Sequence, residues 1–464
     1  MHGVWMTEGP KDWQIVQREN HAAVMRFAGE FRVPDAAVEV GTESAVPKIR
    51  VMSEEDNRQV IPWTECDYDY TEKPVKGVWR CTLTVPEGGL YRIETGLHTK
   101  STRPDLAWIF RGDIRVHIGV GDLFVVAGQS NSAGYGKDSA FDPPSPMVHL
   151  FRNRRQWDLA CHPINESTDA PDDPNAELGV SGISPYLSFG KRYSELAHVP
   201  VGLINTALGG SPIRRWDPEQ TGDLYYNMID KVKACGVKAA GILWYQGCSD
   251  TDTPDQAKTY KENFRRVVSR TRADLGYDIP FFTFQLNRFV DGVIDEAWGI
   301  VREAQRTAAK EIEGVYVLST TNCSLSDGIH NNAHSNVLLG ERMAKLCGYV
   351  LCGTEEFLAP DIAGAVRQNG AVRLEFSNMK AGFMLCGAAA SPYGISIRDA
   401  DGNVEIRSVK QDEKQPNVLI VTPERALNKD AYVSCAWEAN PTFLPPVDEV
   451  TYLPVLSFYE YEIE

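Results

Sequence analysis

The chain has 464 residues, 43% of them hydrophobic and 24% charged, which gives room for two to four ordinary globular domains with sizeable cores. Its formal net charge of −16 argues against nucleic acid or an anionic membrane surface as the main partner. No apolar run approaches the roughly 18 residues of a spanning helix, so none is expected.

The first residues, Met1-His2-Gly3-Val4-Trp5-Met6-Thr7-Glu8, hold neither a basic n-region nor an apolar h-region. As it stands the chain is expected in the cytoplasm, or in a secreted or periplasmic setting if a signal has been trimmed. Up to Gly121 the pattern is strand-like. Residues 22–27, 37–40, 48–51, 78–85 and 90–95 carry β-branched and aromatic side chains, and turn clusters such as Pro86-Glu87-Gly88-Gly89 separate them. This predicts an all-β sandwich over about residues 8–118, within a domain spanning 1–118.

From Asp122 to about Cys352 strands and helices alternate. Residues 123–127, 201–205, 241–245, 280–286 and 315–319 are short apolar runs of the kind a parallel sheet buries on both faces. Amphipathic stretches lie between them. The clearest is 255–275, where Tyr260, Phe264, Val267, Val268 and Thr271 recur at helical spacing, and another begins at Asn336. The pattern predicts a three-layer α/β/α domain over residues 119–352, with ligands at the carboxyl ends of its strands. Residues 137–184 read as a long polar loop that walls a site or is simply solvated. Arg152, Arg154, Trp157 and His162 are its candidate substrate contacts. After Gly353, residues 371–376, 394–398, 418–422 and 431–436 read as strands of a small β domain over 353–464. The ten cysteines are scattered through strand and helix interiors, such as Cys81 and Cys347, without a C-x-x-C pair. That suits buried, reduced thiols.

The chemistry begins where residues 123–127 run into Gly128-Gln129-Ser130-Asn131-Ser132-Ala133-Gly134. A Ser between glycines at a strand end is where α/β enzymes hold a nucleophile, although small polar residues there also simply turn a chain. The motif is not the G-x-S-x-G elbow, since Ser132 stands where the second Gly would be. A serine hydroxyl needs a base within reach, itself oriented by a carboxylate. His330, with Asp327 shortly before it, supplies both from one loop.

With Gly209-Gly210-Ser211 running to Trp216, and Trp244-Tyr245-Gln246-Gly247-Cys248, these blocks resemble those of the SGNH (GDSL-like) hydrolases, in the sialate O-acetylesterase and carbohydrate acetylesterase branch. The flanking segments resemble that branch more loosely. The resemblance implies an SGNH hydrolase domain between an N-terminal β-sandwich and a C-terminal small β domain, acting as a serine esterase through an acyl-enzyme. Ser130 is then the nucleophile, His330 the base and Asp327 its orienting carboxylate. The backbone N–H groups of Ser130 and Gly210 and the side-chain amide of Gln246 form the oxyanion hole. Two positions depart from the branch: Cys248 stands where Glu is usual, and Asn331 follows the His where Pro is common.

The branch implies removal of O-acetyl groups from carbohydrate, foremost O-acetylated sialic acid, with an acetylated plant polysaccharide of the xylan type as the alternative. Gln129, Asn131, Trp216, Arg214 and Arg288 are the candidate substrate contacts, with Arg215 adjacent. Trp216 offers a face for a sugar ring or else packs in the core, and an arginine suits a sialate carboxylate. Two other classes stay open. One is a non-catalytic carbohydrate-binding protein. The other is a metal hydrolase built on His330 and His334, which are spaced to share a helix face but have no Glu between them. The reading adopted needs neither cofactor nor metal.

Overall fold

One long strand ties the first two parts of the chain together. In the computed structural model, which describes residues 3–177, 182–291, 294–387 and 392–464, the N-terminal part holds β1 (Gly3–Glu8), β2 (Ile15–Gln17), β3 (Ala22–Arg32), a short helix α1 (Asp35–Glu39), β4 (Thr42–Ser53), β5 (Gln59–Glu65), β6 (Asp67–Glu72), β7 (Lys76–Pro86) and β8 (Gly88–Ser101). One sheet runs β1-β3-β7-β6; facing it, β4 pairs with β5 and β8. Alternate residues point inward, so Met25, Phe27, Trp79 and Leu83 meet Ile49, Val51, Ile93 and Leu97 in one core. The strand expected at 37–40 is instead the end of α1. Asp35 sits in the first turn, where a carboxylate suits the helix N-terminus, and two alanines follow it.

β8 pairs antiparallel with β9 (Ile109–Gly128), and β9 does not stop at the boundary drawn between residues 118 and 119. Its first half closes the sandwich, and its second half is the central strand of the next sheet. Gly119 and Gly121, where its two halves join, are extended and closely packed. A Cβ on Gly121 would fall 1.8 Å from the Pro200 carbonyl oxygen. These glycines allow a close approach rather than a turn.

Next come α2 (Ser130–Ala133), β10 (Val148–Phe151), β11 (Trp157–Leu159), α3 (Tyr186–Ala197), β12 (Val201–Asn205), α4 (Asp223–Ala234), β13 (Gly241–Tyr245), α5 (Pro254–Leu275), β14 (Phe281–Phe284), α6 (Asp295–Glu311), β15 (Val315–Leu318) and α7 (Ala333–Cys352). The sheet order is β11-β10-β12-β9-β13-β14-β15, parallel except for the edge strand β11. Successive residues of β9 feed opposite cores. Leu123, Val125 and Ala127 pack with residues of α4, α5 and α6, whereas Phe124 and Val126 pack with residues of α3 and α7. The five expected parallel strands are present. β10 and β11 arise within 137–184, which the sequence presents as loop; part of that stretch, 178–181, lies outside the described residues. α5 is capped by Thr253, whose side chain accepts from the Gln256 N–H, and ends at Gly276 with φ +80°.

The remainder contains β16 (Asp361–Gln368), β17 (Ala371–Ser377), β18 (Phe383–Met384), β19 (Ile395–Asp399), β20 (Gly402–Val404), β21 (Ile406–Gln411), β22 (Val418–Pro423), β23 (Ala431–Cys435), β24 (Val447–Asp448) and β25 (Phe458–Glu462). Two four-stranded sheets, β16-β17-β22-β21 and β20-β19-β23-β25, enclose Leu374, Phe376, Ile397, Leu419, Val433 and Phe458. This β unit is joined to α6 by Arg302, whose wholly buried guanidinium donates to the carbonyls of Leu286 and Asn287 on one side and of Ala436 and Glu438 on the other.

Candidate active site

The carboxyl ends of β9, β12 and β13 and the loop after β15 converge on one cleft of about 750 Å³, within the usual range for small-ligand sites. Gly128 turns the chain out of β9 at φ +124°, and a Cβ there would strike the Tyr245 carbonyl oxygen at 2.3 Å, so only glycine fits. Ser130 follows at the cleft floor. His330 Nε2 lies 2.9 Å from Ser130 Oγ, and His330 Nδ1 lies 2.8 Å from Asp327 Oδ2. Asp327 Oδ1 accepts the backbone N–H groups of Ile329 (3.0 Å) and His330 (2.9 Å), and Lys137 Nζ stands 3.2 Å from Oδ2. Burial works against ionisation of Asp327, but these donors outweigh it and hold the carboxyl well below the usual carboxylate range. A carboxylate at Nδ1 fixes the proton there and leaves Nε2 to accept from the serine O–H.

The loop carrying His330 is pinned from beneath. Asn131 Oδ1 accepts the Asn331 N–H at 3.0 Å, and Asn287 Nδ2 donates to the Ile329 carbonyl at 2.6 Å and to Asn331 Oδ1 at 3.0 Å. Asn131 is therefore buried in support of the loop and is not a substrate contact. A proline at 331 would remove the N–H that Asn131 binds. Tyr135 lies against the His330 ring, centroids 4.7 Å apart, and its hydroxyl donates to Glu177.

The backbone N–H groups of Ser130 and Gly210 have no acceptor among the described residues. Gly210 adopts φ +63° on the cleft rim with open space where a Cβ would stand. An oxyanion can meet both donors. Gln246 corrects the sequence expectation. It is wholly buried, and its amide donates to the Ser211 carbonyl (3.1 Å) and to Asp250 Oδ2 (2.5 Å), which leaves no hydrogen for a substrate. A polar residue at a strand end reads the same whether it faces the cleft or the packing beneath. Gln246 acts through the loop it holds.

Asp250 completes that support, accepting the Ile213 N–H at 3.0 Å. Burial pushes its carboxyl up to about 6. Because this acid titrates higher in the fold than in the unfolded chain, its stabilising effect is complete below about pH 4 and is lost as pH rises through about 6. Asp250→Asn stays neutral throughout. In denaturant melts from about pH 4 to about pH 7 its stability is expected to move in its favour relative to wild type by up to about 3 kcal/mol. A pH-independent gap would contradict this.

The remaining candidates divide. Gln129 lines the cleft and accepts the Gly247 N–H at 3.0 Å; Arg214 also lines it, exposed and without a side-chain partner among the described residues. Trp216 does not reach the cleft. It is fully buried, bonded through Nε1 to Ser211 Oγ and packed edge-on against Trp244, so it is a core residue. Arg215 pairs with Asp223. Arg288 is half-buried and donates to the Cys323 carbonyl at 3.3 Å, away from the cleft lining. Arg152 and Arg154 pair with Asp158, His162 with Asp142, and Trp157 packs in the core, so none of the four lines the cleft. His334 is exposed beside Asp138 while His330 engages Ser130, so the two do not converge. Cys248 lines the cleft, but burial pushes its thiol up to about 12, leaving it protonated. Phe289, Ile294, Trp298 and Ile329 form an apolar wall, with Asp252 on the polar side. Tyr135, Lys137, Asp250 and Asn287 carry no sequence signal beyond lying near a block or a strand end.

A family model described as carbohydrate esterase, sialic acid-specific acetylesterase matches residues 120–348. A probable carbohydrate esterase of Arabidopsis thaliana is 28% identical over 257 residues, covering 50% of this chain and 92% of that protein. The crystal structure of a carbohydrate acetylesterase from Xanthomonas citri shares the fold, with a TM-score of 0.66 at 21% identity over 97% of both chains.

Proposed function

Because residues 120–348 belong to the carbohydrate esterase, sialic acid-specific acetylesterase family, we propose that this chain is a serine esterase that removes O-acetyl groups from carbohydrate through Ser130, His330 and Asp327. The observation that carries the reading is the 2.9 Å approach of His330 Nε2 to Ser130 Oγ with Asp327 behind the ring. Ser130 attacks the acetyl carbonyl as His330 takes its proton. The oxyanion forms against the N–H groups of Ser130 and Gly210, each such donor worth roughly 2.7–4 kcal/mol of barrier. His330 then protonates the departing sugar hydroxyl, and a water activated by the same imidazole releases acetate from the acyl-enzyme. Asp327 stays ionised throughout, holding the tautomer and stabilising the imidazolium.

O-acetylated sialic acid is the favoured substrate, because the Arg214 guanidinium on the rim has no side-chain partner among the described residues and offers a bidentate partner to its carboxylate. Asp252 on the same cleft favours the alternative, a neutral acetylated polysaccharide. Acetate release from acetylated sialic acids and acetylated xylo-oligosaccharides separates the two. Arg214→Ala is expected to lower kcat/KM on the acidic sugar by about 10- to 100-fold, matching roughly 1.5–3 kcal/mol for a charge-assisted bond, and to leave the neutral one within about twofold. Equal losses on both, or wild-type turnover of the neutral ester alone, would remove the sialate assignment.

A further inference from the structure

Away from the cleft, the chain crosses between the two sheets of the N-terminal sandwich at Cys66. Glu65 pairs with Lys48 of β4, and Asp67 pairs with Arg80 of β7. One step along that antiparallel register sets Cys66 opposite Cys81. Opposed residues of antiparallel strands have Cα atoms about 4.5–5.5 Å apart, inside the range a disulfide spans. The Cys66 N–H goes to the Pro47 carbonyl at 3.0 Å and not into β7, so the pair matches the non-hydrogen-bonded kind in which side chains lie closest. Both side chains pack into the same core, Cys66 buried and Cys81 half-buried.

We propose that Cys66 and Cys81 are a dithiol that closes to an intramolecular disulfide when it meets a low-molecular-weight disulfide. Cys81 is the attacking member. It is the more accessible, and the Cys66 S–H together with the Thr82 N–H stabilises its thiolate against burial and nearby Asp67. Cys66 is held protonated by that same contact and by burial, with Asp67 and Glu65 adding to the effect. With oxidised glutathione, the Cys81 thiolate attacks one sulfur, the S–S bond breaks and one glutathione thiolate leaves. Cys66 loses its proton and attacks the Cys81 sulfur, which expels the second glutathione. Two protein thiols are oxidised, one glutathione disulfide is reduced, and the two protons end on the two released thiols. Closure would pin the crossover at residue 66 to β7, leaving the cleft chemistry untouched.

The test is native full-length protein incubated with excess oxidised glutathione in mildly alkaline buffer, then mapped under non-reducing conditions. Glutathione adducts on the exposed Cys352 and Cys386 report that the oxidant has acted. Wild type is expected to yield the Cys66 and Cys81 peptides joined, with both thiols lost and no adduct on either. Cys66→Ser is expected to stop at a glutathione adduct on Cys81, and Cys81→Ser to leave Cys66 free. Adducts at 352 and 386 with both sandwich thiols still titratable would overturn the proposal. So would a persistent wild-type adduct on Cys81, or a crosslink joining either residue to another cysteine.

Discussion

Ser130→Ala is expected to lower acetate release by about six orders of magnitude, the loss seen when a serine protease loses its nucleophile. Among the described residues the hydroxyl's hydrogen bond is to His330 alone, so its removal breaks no support of the fold, and the thermal midpoint should stay within about 1 °C of wild type. Adding His330→Ala should cost little more, because the two groups act as one unit. What is left would be the contribution of the N–H donors at Ser130 and Gly210 and of binding. Retention of more than about one part in a thousand of the activity would mean that another group attacks the ester.

Arg302→Met is expected to cost at least about 3 kcal/mol of stability. Burial pulls its guanidinium down to about 10, so it is still charged at neutral pH, and its acceptors are carbonyls. An apolar replacement relieves the desolvation of that charge but strands the carbonyls of Leu286, Asn287 and Glu438, while that of Ala436 keeps the Ser457 hydroxyl. Each unmet group costs roughly 1 kcal/mol or more. The local effect should be larger than the global one. Amide exchange at residues 436–440 is expected to rise, while the N-terminal sandwich keeps its protection. Activity should fall too, since Asn287, whose carbonyl Arg302 binds, also holds the Ile329 carbonyl beside His330. Unchanged exchange at 436–440 together with wild-type stability would show that the clamp does not join the β unit to α6.

The parallel strands and the Ser, Gly, Asp and His of the cleft were legible because each is written in local chemistry. Residues 201–205 and 241–245 are unbroken apolar runs, and Ser130 and Gly210 lie just past such runs. Gln246 reads as a cleft donor and Trp216 as either cleft or core, because local sequence records polarity and size but not which side of a strand end a residue faces. Asn131 looked like a ligand contact and proved to be a brace, since its partners lie near residue 330. β10 and β11 escaped because a polar segment, Arg152 to Gln156, separates two very short runs that join a sheet already begun elsewhere. Asp250 and Arg302 are silent in sequence for the same reason. Their meaning lies in carbonyls and amides brought to them from distant segments.

β9 has a cost during synthesis. Its apolar last stretch, residues 122–128, gains strand neighbours only when β12 and β13 emerge from the ribosome, at residues 201–205 and 241–245. Until then the finished sandwich carries an unpaired, water-averse ribbon with both edges open, the kind of surface that recruits other chains or chaperones. The strand that delivers the nucleophile is thus also the point at which a nascent chain is most exposed to misassembly.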